Sequence, residues 1–417
     1  MMLASIGGLV AEPLAILGGC LGWIAGFLLL TRLKRRQRAL VVTLVAAGLG
    51  GVAWGAANGS APEWDTILAG NQPLIGMLVA VSFLRLVARP AKEGEGPAGK
   101  GAVWQSLLAV HIFGSVINIS AVDLVGDRLA RGVRLDKPRL LLLSRGYSTG
   151  AFWSPFWGAS ATVLTYSPAA RLPVLMAIGG TLSALALAMG GLKVIRTMGR
   201  QLPGFHGYPL TLDALGLPVA LVGIVLAWHF ASPDVPVNGI ITVCAPLLTC
   251  AILLVTARRR TPRALAGHAV RQLPQMGGEL TLFLAAGMLT AGFAAIVDQA
   301  GTGWLPFDSF GPLEAWGLLL LMAVLAGLGL HPVISIATGA SLLAPLDADP
   351  TLFAMTGLIA WGVQAAGAPL SGFNVVMGAR FGVDTFRLAS WNLLYVLAML
   401  ALGLPALWVC AELVGAG

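Results

Sequence analysis

Apolar stretches of about 20 residues recur from one end of the chain to the other, and a helix of about that length spans the hydrocarbon core of a bilayer. Of the 417 residues, 57% are hydrophobic and 11% are charged. A soluble protein of this size needs more charge to cover its surface. No polar stretch is long enough to form a separate soluble domain. The sequence therefore predicts an all-α polytopic membrane protein.

The apolar stretches predict about ten transmembrane helices. They lie at residues 14–31, 39–55, 70–88, 138–165, 172–194, 213–231, 238–256, 278–297, 351–380 and 388–412. No basic segment precedes the first stretch, so we expect it to remain as a spanning helix and not to be cleaved as a signal peptide. The cysteines have no CxxC spacing, and we expect them to be free and packed among apolar side chains. They are Cys20, Cys244, Cys250 and Cys410.

Basic residues occur in short clusters between the apolar stretches, as they do in the cytoplasmic loops of membrane proteins. This distribution argues against nucleic acid as a partner, although the sequence pI is about 9.8. If every cluster is cytoplasmic, the N-terminus lies outside, and Arg171 is the one basic residue on the wrong side. The clusters lie at residues 32–38, 85–100, 128–139, 193–200 and 258–271.

Two further apolar stretches, 104–122 and 312–345, do not fit a single crossing. The first lies between two basic clusters, so we expect it to enter and leave the membrane on the cytoplasmic side, as a re-entrant hairpin. The second is flanked by acidic residues alone, and we expect it to enter and leave from the outside. The alternative is an ordinary spanning helix beside an atypical loop.

The chain then has one plan twice: three spans, a hairpin and two spans, in opposite orientations. Ser154-Pro155-Phe-Trp-Gly158 lies within an apolar span, and Ala368-Pro369-Leu-Ser-Gly372 lies within the matching span of the second half. Proline removes a backbone donor and glycine loosens a helix. Because unpaired backbone is costly in hydrocarbon, inverted repeats with broken helices are typical of transporters, where they surround a solute. Simple proline kinks are the alternative.

Four segments carry a resemblance to a known family: Ser115–Ser120, Ser335–Ser341, Trp153–Ser160 and Gly367–Asn374. Through them the chain resembles the ion transporter superfamily, which includes divalent anion/sodium symporters, citrate and arsenite permeases, and the large membrane subunits of tripartite carboxylate transporters. The resemblance is one of plan over nearly the whole chain, since the Ser-Asn-Thr signature of the divalent anion symporters is absent. The predicted hairpin tips are Ile117-Asn118-Ile119-Ser120 and Ala337-Thr338-Gly339.

The resemblance implies a homodimer that works by an elevator mechanism, in which each half supplies a hairpin and a broken helix to a moving transport part. It also implies a helix on the cytoplasmic surface at residues 257–275, which contain a run of arginines. The implied parts are the scaffold of repeat 1 (1–103), its transport part (104–171), the linking helix and scaffold of repeat 2 (172–311), its transport part (312–387) and a final helix (388–417).

Neutral polar side chains near the predicted hairpin tips and helix breaks are the candidate site residues. They could surround sodium with oxygens or form hydrogen bonds to a carboxylate. The backbone freed at Pro155, Gly158, Pro369 and Gly372 adds carbonyls for a cation and N–H groups for an anion. The alternative is that these side chains bond to their own helices or join neighbouring helices. The candidates are Ser115, Asn118, Ser120, Ser154, Ser160, Ser335, Thr338, Ser341, Ser371 and Asn374.

Four further residues are candidates for coupling or for contact with an anion. His111 and His331 occupy corresponding hairpin positions and could carry a proton, and the alternative is a histidine at a helix start or interface. Arg145 could attract an anion or extend to the lipid headgroups, and Gln364 is a polar candidate in the matching span. No Asp or Glu lies at the centre of a span, which argues against a cationic substrate.

These features predict a secondary active transporter in a bacterial inner membrane that moves a small organic anion, a carboxylate by class, coupled to sodium or protons. GxxxxGK[ST] and HExxH motifs are absent from the sequence, so we expect no cofactor, no metal beyond sodium and no enzymatic activity. The expected partners are the anion, the lipid bilayer and a second copy of the chain. The alternatives are an exporter or permease for an inorganic or oxyanion solute, a passive channel, and an intramembrane enzyme.

Overall fold

The computed structural model describes residues 6–8, 12–60, 62–88, 96–131, 133–300 and 305–416. Within these ranges the structure is helical, with one isolated β-bridge between Ala98 and His206. Nine helices in the described part of the chain are long and apolar enough to cross a membrane. The predicted class of an all-α polytopic membrane protein is therefore confirmed.

The first half consists of two long helices, a helix interrupted near its start, a helical hairpin, a broken helix and a final long helix. The bounds are α1 (Glu12–Leu30), α2 (Arg35–Ala57), α3 (Trp64–Ala69), α4 (Gln72–Ser82), α5 (Gly99–Ile117), α6 (Ser120–Leu129), α7 (Lys137–Ser148), α8 (Gly158–Tyr166) and α9 (Leu172–Met198). Here α5 and α6 form the hairpin, and α7 and α8 form the broken helix.

The second half has the same order of elements, with one short helix, α12, added before the third span. The bounds are α10 (Leu212–Ala231), α11 (Val237–Thr256), α12 (Thr261–Arg271), α13 (Gly277–Ala300), α14 (Pro312–Gly327), α15 (Pro332–Leu343), α16 (Pro350–Gly367), α17 (Gly372–Phe381) and α18 (Thr385–Val414). Here α14 and α15 form the hairpin, and α16 and α17 form the broken helix.

The lengths of the helices agree only in part with the predicted spans. The stretch 138–165 is not one helix, because α7 and α8 are separate. Conversely α5, the first arm of the predicted re-entrant hairpin, has 19 residues and is itself long enough to cross. Both arms of the second hairpin are shorter. Helix length does not distinguish a re-entrant arm from a spanning helix, so the inverted arrangement stays a prediction.

Aspartates mark the starts of the helices around the two breaks. Asp136 accepts a hydrogen bond from the backbone N–H of Arg139 (3.2 Å) at the start of α7. Asp349 accepts from Thr351 and Leu352 at the start of α16, and Asp384 caps α18 in the same way. An N-cap carboxylate satisfies N–H groups that have no partner within the helix and favours the positive end of the helix dipole.

The spans of the two halves pack against each other reciprocally. The second span of the first half, α2, packs along the third span of the second half, α13, and the third span of the first half, α4, packs against the second span of the second half, α11. A side chain at Gly51 would overlap the carbonyl of Gly292, so the backbones of α2 and α13 approach closely there. Such close approach through small residues stabilises helix pairs in membranes.

The prediction for the tip of the second hairpin is wrong. Ala337-Thr338-Gly339 lies inside α15, and the turn consists of residues 328–331. Gly329 has a φ of +97°, which favours glycine, and Pro332 begins α15, where its missing N–H is not needed. The first hairpin turns where expected, at Asn118 and Ile119, and Asn118 has a φ of 51°.

Candidate functional site

The broken helix of the first half is interrupted at residues 153–157, a segment that contains Pro155. A short 3-10 turn, Thr149–Phe152, precedes the interruption, and α8 begins at Gly158. Ser154 is fully buried, so the polar groups of this segment must find partners within the protein.

The first hairpin supplies partners for this interruption. The hydroxyl of Ser154 donates to the carbonyl of Ser115, and the indole Nε1 of Trp157 donates to the carbonyl of Gly114 at 2.6 Å. Both carbonyls belong to the last turn of α5, where helical N–H partners are missing. In return, the amide of Asn118 donates to the carbonyl of Phe156 at 3.2 Å. The hairpin and the break therefore satisfy each other.

The broken helix of the second half is interrupted at residues 368–371, a segment that contains Pro369. The hydroxyl of Ser371 accepts from the backbone N–H of Asn374 (3.1 Å), which caps α17. It also donates to the carbonyl of Ala365 (3.1 Å) at the end of α16. One serine thus forms a hydrogen bond to each of the two helix ends that the break creates.

The same bond closes both breaks. The hydroxyl of Ser160 donates to the carbonyl of Ser154 at 2.6 Å, and the amide of Asn374 donates to the carbonyl of Ala368 at 2.8 Å. In each case the residue that accepts the bond directly precedes the proline. Ser160 corresponds to Asn374 and Ser154 corresponds to Ala368, and the residue numbers within each of these pairs differ by 214. The two breaks are therefore local structural repeats of each other.

Aromatic contacts between the two broken helices are reciprocal as well. Tyr147 on α7 stacks on Phe373 at the start of α17, with ring centroids 4.8 Å apart. Its counterpart on α16, Trp361, lies against Gly158 at the start of α8, and the numbers 147 and 361 again differ by 214. Each half therefore places an aromatic ring of its first half-helix against the second half-helix of the other.

Asn374 distinguishes the second break from the first. It is 0% exposed, and its amide nitrogen points at the carbonyls of Ala368 and Ala366. This arrangement fixes the orientation of the amide, because both neighbours are acceptors. The amide oxygen has no hydrogen-bond partner. An unpaired buried oxygen beside freed backbone carbonyls is suited to bind a cation.

Arg145 is buried, with 4% of its surface exposed, so it does not extend to the headgroups. Its Nε donates to the amide oxygen of Asn392 at 3.1 Å, and its guanidinium lies 5.0 Å from the centre of the Tyr395 ring. The amide nitrogen of Asn392 in turn donates to the carbonyl of Ala366 at 3.3 Å. Arg145 is therefore connected to the C-terminal end of α16, where a positive charge is favoured.

His111 is held by hydrogen bonds at both ring nitrogens. Trp153 donates its Nε1–H to Nε2 of His111 at 3.2 Å, and Nδ1 lies 2.8 Å from the hydroxyl oxygen of Thr149. The Thr149 hydroxyl donates to the carbonyl of Gly146, so Nδ1 carries the proton and Nε2 is an acceptor. Neither nitrogen is free to take up a proton without breaking a bond, which favours a structural role.

His331 lies in the turn of the second hairpin, and Gln364 contacts that hairpin from α16. The Nδ1 atom of His331 accepts from the N–H of Val333 at 3.3 Å and caps α15. Its ring lies edge-on to Trp361 at 5.4 Å. Gln364 donates to the carbonyl of Met322 at 3.2 Å and so joins α16 to α14.

The remaining serine and threonine candidates do not surround the second break. Ser115 donates to the carbonyl of His111, and Ser335 donates to the carbonyl of Pro332, each within its own helix. Ser341 donates to the carbonyl of Thr290 on α13 at 3.1 Å. Thr338 is half-buried within α15, and Ser120 begins α6.

Several buried polar residues near the breaks were not predicted from the sequence. Asn392 is a single asparagine within the apolar helix α18, and a lone polar residue in an apolar span is a signal for function that could have identified it. Asn71, Tyr166 and Asn238 also form hydrogen bonds between helices. Their positions near helix ends gave no comparable signal.

The pentapeptide Gly146-Tyr147-Ser148-Thr149-Gly150 matches the G-x-S-x-G pattern of serine hydrolases. In those enzymes the serine lies on a sharp turn between a strand and a helix, where it is exposed. Here Ser148 is the last residue of α7 and is fully buried. The segment therefore lacks the structural context of a nucleophile elbow.

A cavity of about 640 Å³ lies between α3, α13 and α15, away from both breaks. Its lining includes Glu63, Asp298 and Ser341, and it includes no residue of either interruption. Among the described residues there is no group of three His, Cys, Asp or Glu side chains that could hold a metal ion.

No known protein-family model matches this chain, and no curated protein is significantly similar to it.

Proposed function

We propose that this integral membrane protein is a secondary active transporter for a small organic anion of the carboxylate class, with the plan of the ion transporter superfamily. In this proposal the two halves have opposite orientations in the bacterial inner membrane, with the N-terminus outside. Both hairpins are re-entrant and reach the two helix breaks from opposite sides, and the protein works as a homodimer.

One observation carries the proposal: the two breaks repeat each other in detail while lying within apolar helices. Two unrelated proline kinks would not be expected to have the same hydrogen bond. Here Ser160 in one half and Asn374 in the other each donate to the carbonyl before the proline. Freed backbone in an apolar environment costs several kcal/mol per unsatisfied group. Its retention at two corresponding places supports a binding site for a solute between them.

The second break supplies the features that a coupled anion carrier needs. The unpaired oxygen of Asn374 is the candidate sodium ligand. Arg145 places a positive charge near the same break through Asn392, and the free N–H groups at the start of α17 add to it. Sodium is favoured over protons, because both nitrogens of His111 are already engaged. His331 is the remaining candidate for proton coupling.

The proposed elevator motion divides the molecule into a transport unit and a scaffold. The transport unit comprises α5–α8 and α14–α17, and the scaffold comprises the other spans. The helix α8 meets the scaffold at α4 and α11. In this proposal the motion starts from a position in which α8 is hydrogen-bonded to Asn71 and Asn238, and the scaffold holds α8 through these bonds.

Accumulation against a gradient tests the proposal. The purified protein is first screened for carboxylates and inorganic oxyanions that raise its melting temperature, with and without sodium, since a ligand of the folded state raises its stability. The best anion, radiolabelled, is then offered to proteoliposomes with an imposed sodium or proton gradient.

A coupled transporter accumulates the anion above its external concentration, and the accumulation ends when an ionophore removes the gradient. A channel only equilibrates the anion, and an enzyme converts it. Equilibration without accumulation under both gradients, or chemical conversion, contradicts the proposal. An inorganic oxyanion that accumulates while carboxylates do not would replace the substrate class and leave the transporter assignment intact.

A further inference from the structure

The short helix α12 lies between two spans and is held to the protein by one face. Of its residues, Thr261 and His268 are buried. The Nε2 atom of His268 lies 2.9 Å from the hydroxyl of Ser82, and its ring packs against Phe83 at 4.6 Å. The hydroxyl of Thr261 donates to the carbonyl of Leu253 at 3.0 Å. These contacts dock α12 beside the end of the third span and leave its other face uncovered.

The uncovered face is strongly basic. Five exposed arginines occur within α12 and the turn that precedes it, and none of them forms an ion pair with a carboxylate of the described residues. They are Arg258, Arg259, Arg260, Arg263 and Arg271. By contrast, Arg380 near the first hairpin is paired with Asp123 and Asp127. The charge of the α12 face is therefore not neutralised within the protein.

A second basic segment lies next to this face. Gly277 and Gly278 at the start of α13 lie against Leu29 and Gln37. This contact brings the segment 31–38, which consists of the loop before α2 and the first turn of α2, beside the connection from α12 to α13. The segment carries five further basic residues. They are Arg32, Lys34, Arg35, Arg36 and Arg38. Both basic segments therefore lie near the start of α13.

Apolar side chains border the arginines. Leu254 and Val255, in the last turn of α11, are 61% and 76% exposed, and Val270 on α12 is 73% exposed. Exposed aliphatic side chains beside unpaired arginines suit the boundary between lipid headgroups and acyl chains. Free phosphate would account for the arginines and not for the valines and leucine.

We propose that the surface formed by α12, the turn at Arg258–Arg260 and the segment 31–38 is a binding site for anionic phospholipids of the inner leaflet. The arginines bind the phosphates, and the exposed apolar side chains contact the acyl chains. Because α12 connects α11 to α13, bound lipid would hold both spans at this edge of the molecule. The proposal does not depend on the transport function.

The test uses the full-length protein in a neutral detergent, titrated with phosphatidylglycerol, and counts retained lipids by native mass spectrometry. Each basic residue near an anionic surface contributes about 1 kcal/mol, which corresponds to about a fivefold change in affinity. The triple variant Arg259→Gln, Arg260→Gln, Arg263→Gln should therefore retain phosphatidylglycerol about a hundredfold more weakly or worse. Phosphatidylcholine should be retained equally by both proteins.

A matched variant removes three exposed basic residues elsewhere: Lys193→Gln, Arg196→Gln and Arg200→Gln at the end of α9. It should retain phosphatidylglycerol as the parent does. Equal losses in the two triple variants, or no loss in the α12 variant, would overturn the proposal. Glycerol phosphate at millimolar concentration should not displace the lipid, and displacement would mean that the surface recognises phosphate alone.

A measurement on the unmodified protein keeps the test valid if the α12 variant does not fold. Raising the ionic strength to about 1 M shortens the Debye length to about 3 Å. Retention of phosphatidylglycerol should then fall toward that of phosphatidylcholine. Retention that does not change with ionic strength contradicts an arginine-based site.

Discussion

Two residues at the same place in the repeat, Ser160 and Asn374, perform one task with different side chains. Each donates to the carbonyl that precedes a break proline. Ser160 has only its hydroxyl, which makes this bond. Asn374 has a second polar atom, its amide oxygen, which is buried and has no hydrogen-bond partner. Leaving a polar atom unpaired costs about 1–3 kcal/mol, and the sodium site proposed above would supply a partner for this oxygen.

Replacing Asn374 with serine should remove cation binding while preserving the break. A hydroxyl at this position can still donate to the carbonyl of Ala368, as Ser160 does in the other half. We expect sodium to raise the melting temperature of the parent protein relative to potassium, and we expect this sodium effect to be absent in Asn374→Ser. In potassium, the free energy of unfolding of the variant should fall by about 1 kcal/mol, the value of one hydrogen bond, because the bond from Asn374 to the carbonyl of Ala366 is lost.

The control is Ser160→Ala, which loses the corresponding bond to Ser154. It should lower stability by a similar amount of about 1 kcal/mol and keep the full sodium effect. A sodium effect of normal size in Asn374→Ser would exclude its oxygen as a ligand.

At the scale of the elements, the sequence predicted the apolar helices from composition and the two helix breaks from the positions of prolines. The breaks at 153–157 and 368–371 contain Pro155 and Pro369, and each proline removes a backbone N–H donor from its helix. Proline alone does not break a helix here, because Pro218, Pro246 and Pro405 lie within continuous helices. The turn of the second hairpin lies at residues 328–331 and not at the predicted tip, Ala337-Thr338-Gly339. In the structure Gly339 packs against Phe353 within α15, and tertiary contact outweighed the weak helix propensity of glycine.

The pairing of elements could not be predicted from the sequence. The bond of Trp157 to Gly114 joins residues 43 positions apart, and that of Arg145 to Asn392 joins residues 247 positions apart. No local pattern specifies such partners. The sequence marked Arg145 as polar in an apolar span, but its burial depends on α18, which lies in the other half.

The contacts of α8 with α4 and α11 include hydrogen bonds that the proposed elevator motion would have to break. The hydroxyl of Tyr166 donates to Asn71 (3.1 Å), and Asn238 donates to the carbonyl of Ala161 (3.0 Å) and to the hydroxyl of Thr165 (2.9 Å). Asn71 precedes α4 and Asn238 lies on α11. These bonds stabilise the observed position of α8.

Replacing Tyr166 with phenylalanine should destabilise that position by about 1 kcal/mol, which is about a fivefold change in population. We expect faster hydrogen–deuterium exchange in residues 158–166 of the protein in nanodiscs, since exchange reports local opening. Thr162→Val is the matched control, because the Thr162 hydroxyl bonds to Gly158 within α8 itself. Equal exchange in the two variants would show that α8 is not held by the scaffold.

At the scale of the whole molecule, corresponding elements of the two halves make reciprocal contacts with each other. The pair α2 and α13 and the pair α4 and α11 each join one half to the other, and Tyr147 and Trp361 each reach the opposite broken helix. Reciprocal contacts of this kind follow from a two-fold relation between repeats. If the axis lies in the membrane plane, the halves have opposite orientations, and the charge distribution of the loops predicts the same arrangement.

Cysteine accessibility tests this orientation and the re-entrant hairpins together. The four natural cysteines are replaced, and single cysteines are introduced at exposed positions at the two ends of each hairpin. The positions are Lys100 and Arg131 for the first hairpin and Asp308 and Asp347 for the second. Sealed right-side-out and inside-out vesicles are then treated with a thiol reagent that does not cross membranes.

Both ends of a re-entrant hairpin lie on one side of the membrane, so we expect Lys100→Cys and Arg131→Cys to react only in inside-out vesicles. Asp308→Cys and Asp347→Cys should react only in right-side-out vesicles, because the second half is inverted. If Lys100→Cys and Arg131→Cys react from opposite sides, α5 crosses the membrane as its length of 19 residues allows. The first hairpin would then not reach the break from the cytoplasm, and the paired binding site proposed between the two halves would lose its basis.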